Sequence, residues 1–350
     1  MTNYDAILFL SFGGPEGMAD VMPFLENVLR GKNVPHARML EVAHHYERFE
    51  GVSPINGQNR RLIEALKQEL DHRSIKLPVY WGNRNWHPML ADTLKQMKAD
   101  GVKKALVFIT SAYSSYSGCR QYREDIEKAQ IEADAADIQC DKLRVFYNHP
   151  LFVEANIEAV KAGLEQFSEA ERKDLHVAFT AHSIPMTMAD NCDYVKQLTE
   201  TCELTAKALG LNNYKLVYQS RSGPPTQPWL EPDVLDHMRA LHGAGVRHLL
   251  VHPIGFISDH MEILYDLDTE AKELGHELQM QFVRTSTAGT NPKFARMMAD
   301  LVEERLESNN MAEKKAIGCF GPAPDVCAPG CCAYTPTRPA HAGAQRPQGT

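Results

Sequence analysis

A histidine stands directly after one of the predicted strands. The run HVAFTAHS (176–183) is typical of a buried strand, and Pro185 prevents that strand from continuing. His182 is therefore expected on the loop that leaves the strand. A single histidine there is explained as well by a structural hydrogen bond as by metal binding, so it needs a partner before it indicates chemistry.

A row of carboxylates follows another predicted strand and supplies that partner. The run HLLVHPIGF (248–256) leads into ISDHMEILYDLDTEAKEL, which is dense in acids. If this segment is helical, Glu262, Asp266 and Glu270 share one face at four-residue steps. Like charges so placed destabilise a helix unless a cation visits them, although a solvated helix face would look similar. Together with His182, the row predicts handling of a divalent cation and of protons.

Cysteines form the second chemical pattern. The C-terminal region holds four of the eight cysteines, Cys319, Cys327, Cys331 and Cys332. Four thiolates suffice for a zinc site or for a 2Fe-2S cluster, and spacing alone does not distinguish them. Cys119 lies on the glycine-bearing loop SYSGCRQYRED (115–125), after a strand. The remaining three fit burial as small apolar side chains: Cys140, Cys192 and Cys202.

Composition limits the class of protein. The chain has 350 residues, 43% of them apolar and 23% charged, which is enough to bury a large core in two lobes. The net charge is -8 and no long basic block occurs, so we expect no nucleic-acid partner. No run of 18 apolar residues is present, which predicts no transmembrane segment. The first residues lack a basic leader and a cleavage site, so we expect a cytoplasmic protein with reduced thiols.

Eight short apolar runs are expected to form strands that position these residues: AILFLSF (6–12), LPVYWG (77–82), KALVFITSAY (104–113), LRVFY (143–147), HVAFTAHS (176–183), YKLVYQS (214–220), HLLVHPIGF (248–256) and LQMQFV (278–283). They alternate with amphipathic stretches. This alternation predicts parallel βαβ units. A weak internal echo, KADGVKKALVF (98–108) against HGAGVRHLLVH (242–252), suggests two similar halves. We expect an N-terminal α/β lobe (1–145) and a C-terminal α/β lobe (150–310), with a crevice at the carboxyl ends of their strands. A Cys-rich extension (311–335) and a disordered tail rich in Pro, Ala and Gly (336–350) would follow.

Three segments in order carry a resemblance to a known family. AHSIP (181–185), YQSRSGPPTQPWLEPDV (218–234) and HPIGFISDHMEILYDLD (252–268) resemble segments of ferrochelatases, and the likeness runs from LSFGGPE (10–16) to about residue 306. The resemblance implies two Rossmann-like lobes, each with a parallel four-stranded sheet flanked by helices. It also implies insertion of Fe(II) into a porphyrin in haem synthesis, with no organic cofactor.

The resemblance assigns roles to the catalytic candidates. His182 would lie at the metal and the pyrrole nitrogens, and Glu262 would face it across the porphyrin. Asp266 and Glu270 would continue an acidic path. Which of the first two binds iron and which takes protons is left open, because the pair can titrate together.

The same resemblance implies a set of porphyrin-lining positions: Phe12, Arg30, His45, Tyr46, Ser53, Tyr122 and Trp229. Tyr46, Ser53 and Tyr122 match the branch that uses coproporphyrin III, which favours that substrate over protoporphyrin IX. Phe12 stands where that branch often has a tyrosine, so it can pack on the ring but cannot ligate iron. Leu29 and His45 stand at positions of porphyrin-contacting arginines, and Arg30 is the nearby candidate for a propionate.

The cysteine pattern resembles that of ferrochelatases with a 2Fe-2S cluster, in which one internal cysteine joins three from the C-terminal extension. The ligands would be Cys119, Cys327, Cys331 and Cys332. Cys319 is the reserve if the adjacent cysteines are too strained to bind together.

Other functions fit parts of this pattern. A chelatase that loads cobalt into an early tetrapyrrole is the alternative enzyme. A porphyrin or haem carrier without catalysis, or a redox sensor built on the cluster, is the alternative of another class. A downstream enzyme of haem synthesis is the candidate protein partner.

Overall fold

The computed structural model describes residues 4–31, 34–223, 226–307 and 314–334. The predicted disordered tail 336–350 lies outside these ranges, as do residues 311–313 and 335 of the expected extension. None of the helices in the described ranges has both the length and the apolar character needed to cross a membrane.

Eight strands form two four-stranded parallel sheets: β1 (Ala6–Ser11), β2 (Val79–Asn83), β3 (Lys104–Ile109), β4 (Gln139–Lys142), β5 (His176–His182), β6 (Tyr214–Gln219), β7 (His248–His252) and β8 (Gln281–Arg284). The strand orders are β2-β1-β3-β4 and β6-β5-β7-β8. The predicted fold class, two similar α/β lobes with parallel sheets, is confirmed. The internal echo is real as well, because its two copies lead into β3 and β7, which hold the same place in the two sheets.

Helices cover the sheets: α1 (Met18–Leu29), α2 (His36–Glu47), α3 (Ile55–His72), α4 (Leu90–Ala99), α5 (Gln121–Glu132), α6 (Pro150–Leu164), α7 (Met186–Ala189), α8 (Tyr194–Leu209), α9 (Val234–Gly243), α10 (Met261–Tyr265), α11 (Lys272–Glu277) and α12 (Pro292–Leu306). Two π-helical turns (Tyr116–Arg120 and Asp266–Ala271) and two 3₁₀ turns (Glu171–Lys173 and Ala288–Thr290) complete the described elements. The π turns lead directly into α5 and α11. In both lobes, therefore, the backbone after a strand includes an irregular turn before α5 or α11 begins.

The central strands bury both faces, as their unbroken apolar runs predict. In β1, Leu8 and Leu10 face a core closed by α4 and α5, whereas Ile7 and Phe9 face a larger core. That larger core also contains Phe179 of β5 and Phe294 of α12. The two lobes therefore share one hydrophobic core behind the crevice.

One strand prediction was wrong. The apolar run LRVFY (143–147) was expected to be a strand, but the edge strand β4 is the polar Gln139–Lys142 just before it. Phe146 instead packs its ring 5.4 Å from Phe108 and 5.8 Å from Phe294. The run 143–147 is therefore apolar because it is buried in the shared core, not because it forms a strand. The strand β4 can be polar because it lies at the edge of the sheet, exposed to water.

Candidate active site and cysteine cavity

His182 is the last residue of β5, in register with Gln219 of β6. Its Nδ1 lies 2.5 Å from the carbonyl oxygen of Ser183. A carbonyl oxygen only accepts hydrogen bonds, so Nδ1 carries the proton and donates it. Nε2 then faces Glu262, whose Oε1 is 3.5 Å away. The strand end therefore presents one free imidazole nitrogen to one carboxylate, and the side chains of His182 and Glu262 keep 33% and 48% exposure.

The charge balance at this pair is set by two opposing effects. Burial disfavours the charged imidazole, but the neighbouring Glu262 carboxylate outweighs it and raises the pKa of His182 to about 9. The imidazole therefore holds a second proton, on Nε2, at neutral pH. Without the charge of Glu262, burial still lowers the pKa of His182, while the Ser183 bond and the charge of Asp266 still raise it.

We predict that Glu262→Gln lowers the pKa of His182 from about 9. The sign follows because the carboxylate that raises the pKa is lost while burial, which lowers it, remains. NMR titration of ¹⁵N-histidine-labelled protein measures the change, with His182→Asn identifying the resonance. An unchanged midpoint in Glu262→Gln would show that the pair does not interact.

The carboxylate row lies on a helix with an irregular middle. Glu262 is in α10, whereas Asp266 and Glu270 are in the π turn, not in the regular helix that the spacing assumed. Gln219 and the hydroxyl of Ser220 both donate to Oδ2 of Asp266. Burial raises the pKa of Asp266 to about 7, and the nearby charges of Glu262 and Glu270 add to the rise. The structure thus brings the three predicted acids together, and Asp266 can exchange a proton near neutral pH.

Two other acids of the same segment have a different use. Arg284 donates to both carboxylate oxygens of Asp268, through Nε at 2.8 Å and through Nη2, and to Oδ1 of Asp259 at 3.1 Å. Their charges are therefore neutralised by a half-buried guanidinium. Arg284 therefore marks Asp259 and Asp268 as structural carboxylates.

A second histidine adjoins the pair and was not singled out from the sequence. His260 precedes α10, and its Nδ1 accepts the backbone N–H of Glu262 at 3.2 Å. Its Nδ1 also lies 3.8 Å from Oε2 of Glu262. Burial lowers the pKa of His260, so it stays neutral and fixes the first turn of the helix that carries Glu262. The sequence signal was its place two residues before the first acid of the row.

The N-terminal lobe supplies an aromatic wall. Phe12 directly follows the central strand β1, just as His182 ends the central strand β5 of the other sheet. Phe12 is 37% exposed. The guanidinium of Arg84 lies 5.7 Å from the Phe12 ring centre and 4.5 Å from that of Tyr122. Asp125 accepts from Nε of Arg84 at 2.5 Å. Sequence reasoning missed Arg84, although it directly follows β2 and the rule used for His182 would have found it.

Helices α1 and α2 close the wall above the carboxylate row. Tyr46 is buried with Phe24 and with Met261 of α10. Burial raises the pKa of Tyr46, and the charge of Glu262 adds to this. His45 stacks on Tyr265 with ring centres 3.6 Å apart. The structure thus places His45 against the acidic helix, where it packs on Tyr265 of α10.

The other predicted lining residues differ in their exposure. Ser53 is buried, and a side chain at Gly14 would collide with it at 2.7 Å, so the two segments approach closely. Arg30 is exposed just after α1. Trp229 pairs with Pro185 in an isolated bridge, which attaches it to the loop after His182. Trp229 therefore borders the catalytic loop from the C-terminal lobe.

Four cysteines meet in a cavity of ≈ 540 Å³, here called the cysteine cavity, lined by Cys119, Cys327, Cys331 and Cys332 among others. Cys327 is hydrogen-bonded to Cys119, which raises its pKa. The sulfurs of Cys331 and Cys332 lie 3.5 Å apart. Among described residues, no group of three or more His, Cys, Asp or Glu side chains is arranged to hold a single metal ion. Cys331 is also hydrogen-bonded to Cys327, so contacts connect all four thiols within the cavity.

The backbone allows two adjacent cysteines to face the same cavity. Cys332 has a φ of 55°, in the left-handed region that non-glycine residues rarely adopt. This conformation turns the chain so that Cys331 and Cys332 point to one side. Cys319, the reserve, is held elsewhere: its N–H and its sulfur both contact Oε1 of Glu200, at 2.6 and 3.2 Å.

The position of Cys192 differs from the one expected from the sequence. It was interpreted as a buried apolar residue of an amphipathic stretch, but it is only half-buried and lines the cysteine cavity. It lies between α7 and α8, where its sulfur donates to the carbonyl of Met188 at 3.2 Å. The C-terminal lobe therefore contributes a fifth thiol to the wall.

Comparison with known proteins agrees with these features. A family model described as ferrochelatase matches residues 4–306. A protein named ferrochelatase from Rhodopirellula baltica is 56% identical over 341 residues, covering 97% of this chain and 96% of its own. A protein named coproporphyrin III ferrochelatase from Nocardia farcinica is 49% identical over 350 residues, covering 97% and 99%.

A solved structure supports the architecture alone. The sirohydrochlorin chelatase SirB of Bacillus subtilis subspecies spizizenii, in complex with cobalt, superposes with a TM-score of 0.54 at 12% identity. The match covers 88% of this chain and 98% of that one. The two-lobed fold is thus a chelatase-like fold.

Proposed function

Because this chain belongs to the ferrochelatase family, we propose that it is a lyase that inserts Fe(II) into coproporphyrin III during haem synthesis. The observation that carries the proposal is the pair of His182 Nε2 and Glu262 Oε1, 3.5 Å apart at a strand end beside the carboxylate row. A nitrogen ligand, an oxygen ligand and neighbouring proton acceptors are what insertion of a divalent metal needs.

Insertion requires a bent porphyrin. The planar ring holds its nitrogen lone pairs in the plane together with two N–H protons, so the metal enters only when the ring is distorted. Rim contacts can supply about 1–5 kcal/mol of such strain. Phe12 and Trp229, on opposite lobes, are the apolar surfaces proposed to hold the ring.

His182 is proposed as the acceptor of the first pyrrole proton. Its Nδ1 is engaged by Ser183, so only Nε2 exchanges protons. Fe(II) held by Glu262 neutralises the carboxylate that keeps the imidazole charged, and burial then favours release of the Nε2 proton to solvent, to which the side chain is 33% exposed. The neutral Nε2 is then a base beside the metal. In this proposal Glu262 binds iron and His182 takes the proton.

The second proton leaves along the acidic path. Asp266, with a pKa of about 7, can accept this second proton at the end of the row that holds Glu262. It can then release the proton toward Glu270. Burial also raises the pKa of Glu270, and the charge of Asp233 adds to the rise. The same carboxylates can pass Fe(II) inward when they are ionised. Iron delivery should therefore improve as the pH rises through about 7.

Coproporphyrin III is proposed as the substrate on two grounds. A relative 49% identical over nearly the whole chain carries that substrate in its name. The second ground is the resemblance of Tyr46, Ser53 and Tyr122 to positions of the branch that uses coproporphyrin III.

Initial rates with the two porphyrins test this choice. Anaerobic protein with Fe(II) should give a higher kcat/KM for coproporphyrin III than for protoporphyrin IX by at least about tenfold, as expected when a site loses charged partners worth about 1.4 kcal/mol. A higher kcat/KM for protoporphyrin IX would overturn the substrate proposal and leave the reaction class intact.

We also propose a resident 2Fe-2S cluster in the cysteine cavity. Cys119, Cys327, Cys331 and Cys332 would hold it. The four thiols contact one another within one cavity, and four thiolates would hold such a cluster. Such a group supplies redox chemistry when bound, and no step of metal insertion is assigned to it.

The cellular setting is part of the proposal. All eight cysteines are free thiols, as in a reducing cytoplasm. The product, an iron coproporphyrin, still carries propionates that a later haem-synthesis enzyme would have to decarboxylate. That enzyme is the proposed downstream partner.

A further inference from the structure

Tyr194, the first residue of α8, connects the cysteine cavity to the catalytic strand. Its side chain is buried, and its hydroxyl donates to the backbone carbonyl of His182 at 3.1 Å. This bond fixes the backbone at the end of β5, and with it the direction of the His182 imidazole. Nothing in the chemistry of metal insertion itself calls for this tyrosine.

The residues around Tyr194 belong to the cavity wall. Residues 190–193 and two residues of the first turn of α8, Lys196 and Gln197, line the cysteine cavity. The backbone N–H of Tyr194 is hydrogen-bonded to the sulfur of Cys192. One short segment therefore contacts both the cavity and the catalytic strand.

The cavity's other side is tied to the same helix. Gln197 accepts the N–H of Ser114 at 2.7 Å and donates to its hydroxyl at 3.0 Å. Ser114 is on the loop that enters the π turn containing Cys119. Next to it, Tyr113 packs its ring edge-on against Tyr194, with ring centres 6.2 Å apart. A shift of the Cys119 turn must therefore move α8 or break these contacts.

We infer that Tyr194 is a positioning residue for His182, through which the filling of the cysteine cavity affects the metal-insertion step. The inference deepens the proposed function and rests on it. When the four thiols are drawn together, the first turn of α8 is held in place and Tyr194 keeps the imidazole directed at Glu262. When a thiol is lost, the turn relaxes and the imidazole loses its alignment.

Tyr194→Phe tests the positioning role, because it removes the hydroxyl and keeps the ring that packs on Tyr113. We expect kcat for Fe(II) insertion to fall about tenfold with the porphyrin KM unchanged, within the range known for small misplacements of reacting groups. The visible absorption of the purified protein should be retained. Tyr214→Phe is the matched control: Tyr214 begins the neighbouring strand β6, and its hydroxyl makes no hydrogen bond among the described residues, so kcat should not change.

A double-mutant cycle tests the connection. Cys332→Ser should lower kcat in the wild-type background and have no further effect in Tyr194→Phe. An unchanged kcat in Tyr194→Phe would overturn the positioning role. Either an unchanged kcat in Cys332→Ser or effects that multiply in the double variant would overturn the connection. A wild-type protein that inserts no metal would instead reject the proposed function, and this outcome is visible before any variant is made.

Discussion

His182→Ala is expected to reduce kcat for insertion of Fe(II), or of Zn(II) as its surrogate, by at least about 10³-fold, within the range known for loss of a general base. The reason is geometric: Nε2 is the one ring nitrogen free to exchange protons, and it lies 3.5 Å from the carboxylate proposed to hold the metal. Porphyrin should still bind, because the aromatic wall belongs to the other lobe. Fluorescence of the free and metallated porphyrin measures both quantities.

A matched control is available on the same strand. His176 begins β5, and its Nε2 lies 3.1 Å from Nε2 of His237, away from the carboxyl end of the sheet. His176→Ala should therefore keep a near-normal kcat. If His182→Ala metallated porphyrin at the wild-type rate, the assignment of the catalytic pair would be wrong.

Cys119→Ser is expected to abolish the proposed 2Fe-2S cluster and to loosen the C-terminal extension. Bound iron should fall from about two per chain to nearly none, with loss of the visible absorption, because a 2Fe-2S cluster needs four thiolates. Cys119 is the one proposed ligand outside the extension, and it lies on the π turn of the N-terminal lobe. Its loss should make residues 314–334 more sensitive to trypsin, since metal binding and folding are coupled.

Cys319→Ser provides the comparison. Cys319 contacts Glu200 and does not line the cysteine cavity. This variant should keep its iron and its spectrum. A Cys119→Ser protein with a full, stable 2Fe-2S spectrum, or a Cys319→Ser protein without one, would show that the ligands have been wrongly named. Zinc in the purified wild-type protein, at one per chain and without visible absorption, would favour the zinc site.

The sequence was sufficient for the fold and for the central pair. Apolar runs of strand length identified seven of the eight strands, because parallel strands buried on both faces are nearly continuous in apolar residues. His182 and the carboxylate row could be found because both follow strand ends, where open α/β sheets bind ligands. The eighth strand was missed because β4 is a polar edge strand.

Other features depend on contacts between distant segments. The sequence shows five acids after β7, but only the position of Arg284 tells that Asp259 and Asp268 are neutralised. The stack of His45 on Tyr265 of the other lobe is likewise not indicated by the sequence. Local patterns cannot reveal such pairings, since they arise from how the two lobes pack.

Metal insertion by this chain is expected to be catalytic. The direct measurement is the number of porphyrins metallated per enzyme, with anaerobic protein, excess Fe(II) and excess coproporphyrin III. We predict many turnovers, with iron coproporphyrin accumulating far beyond the enzyme concentration. Stoichiometric binding of porphyrin without metallation would contradict a catalytic role and indicate a carrier.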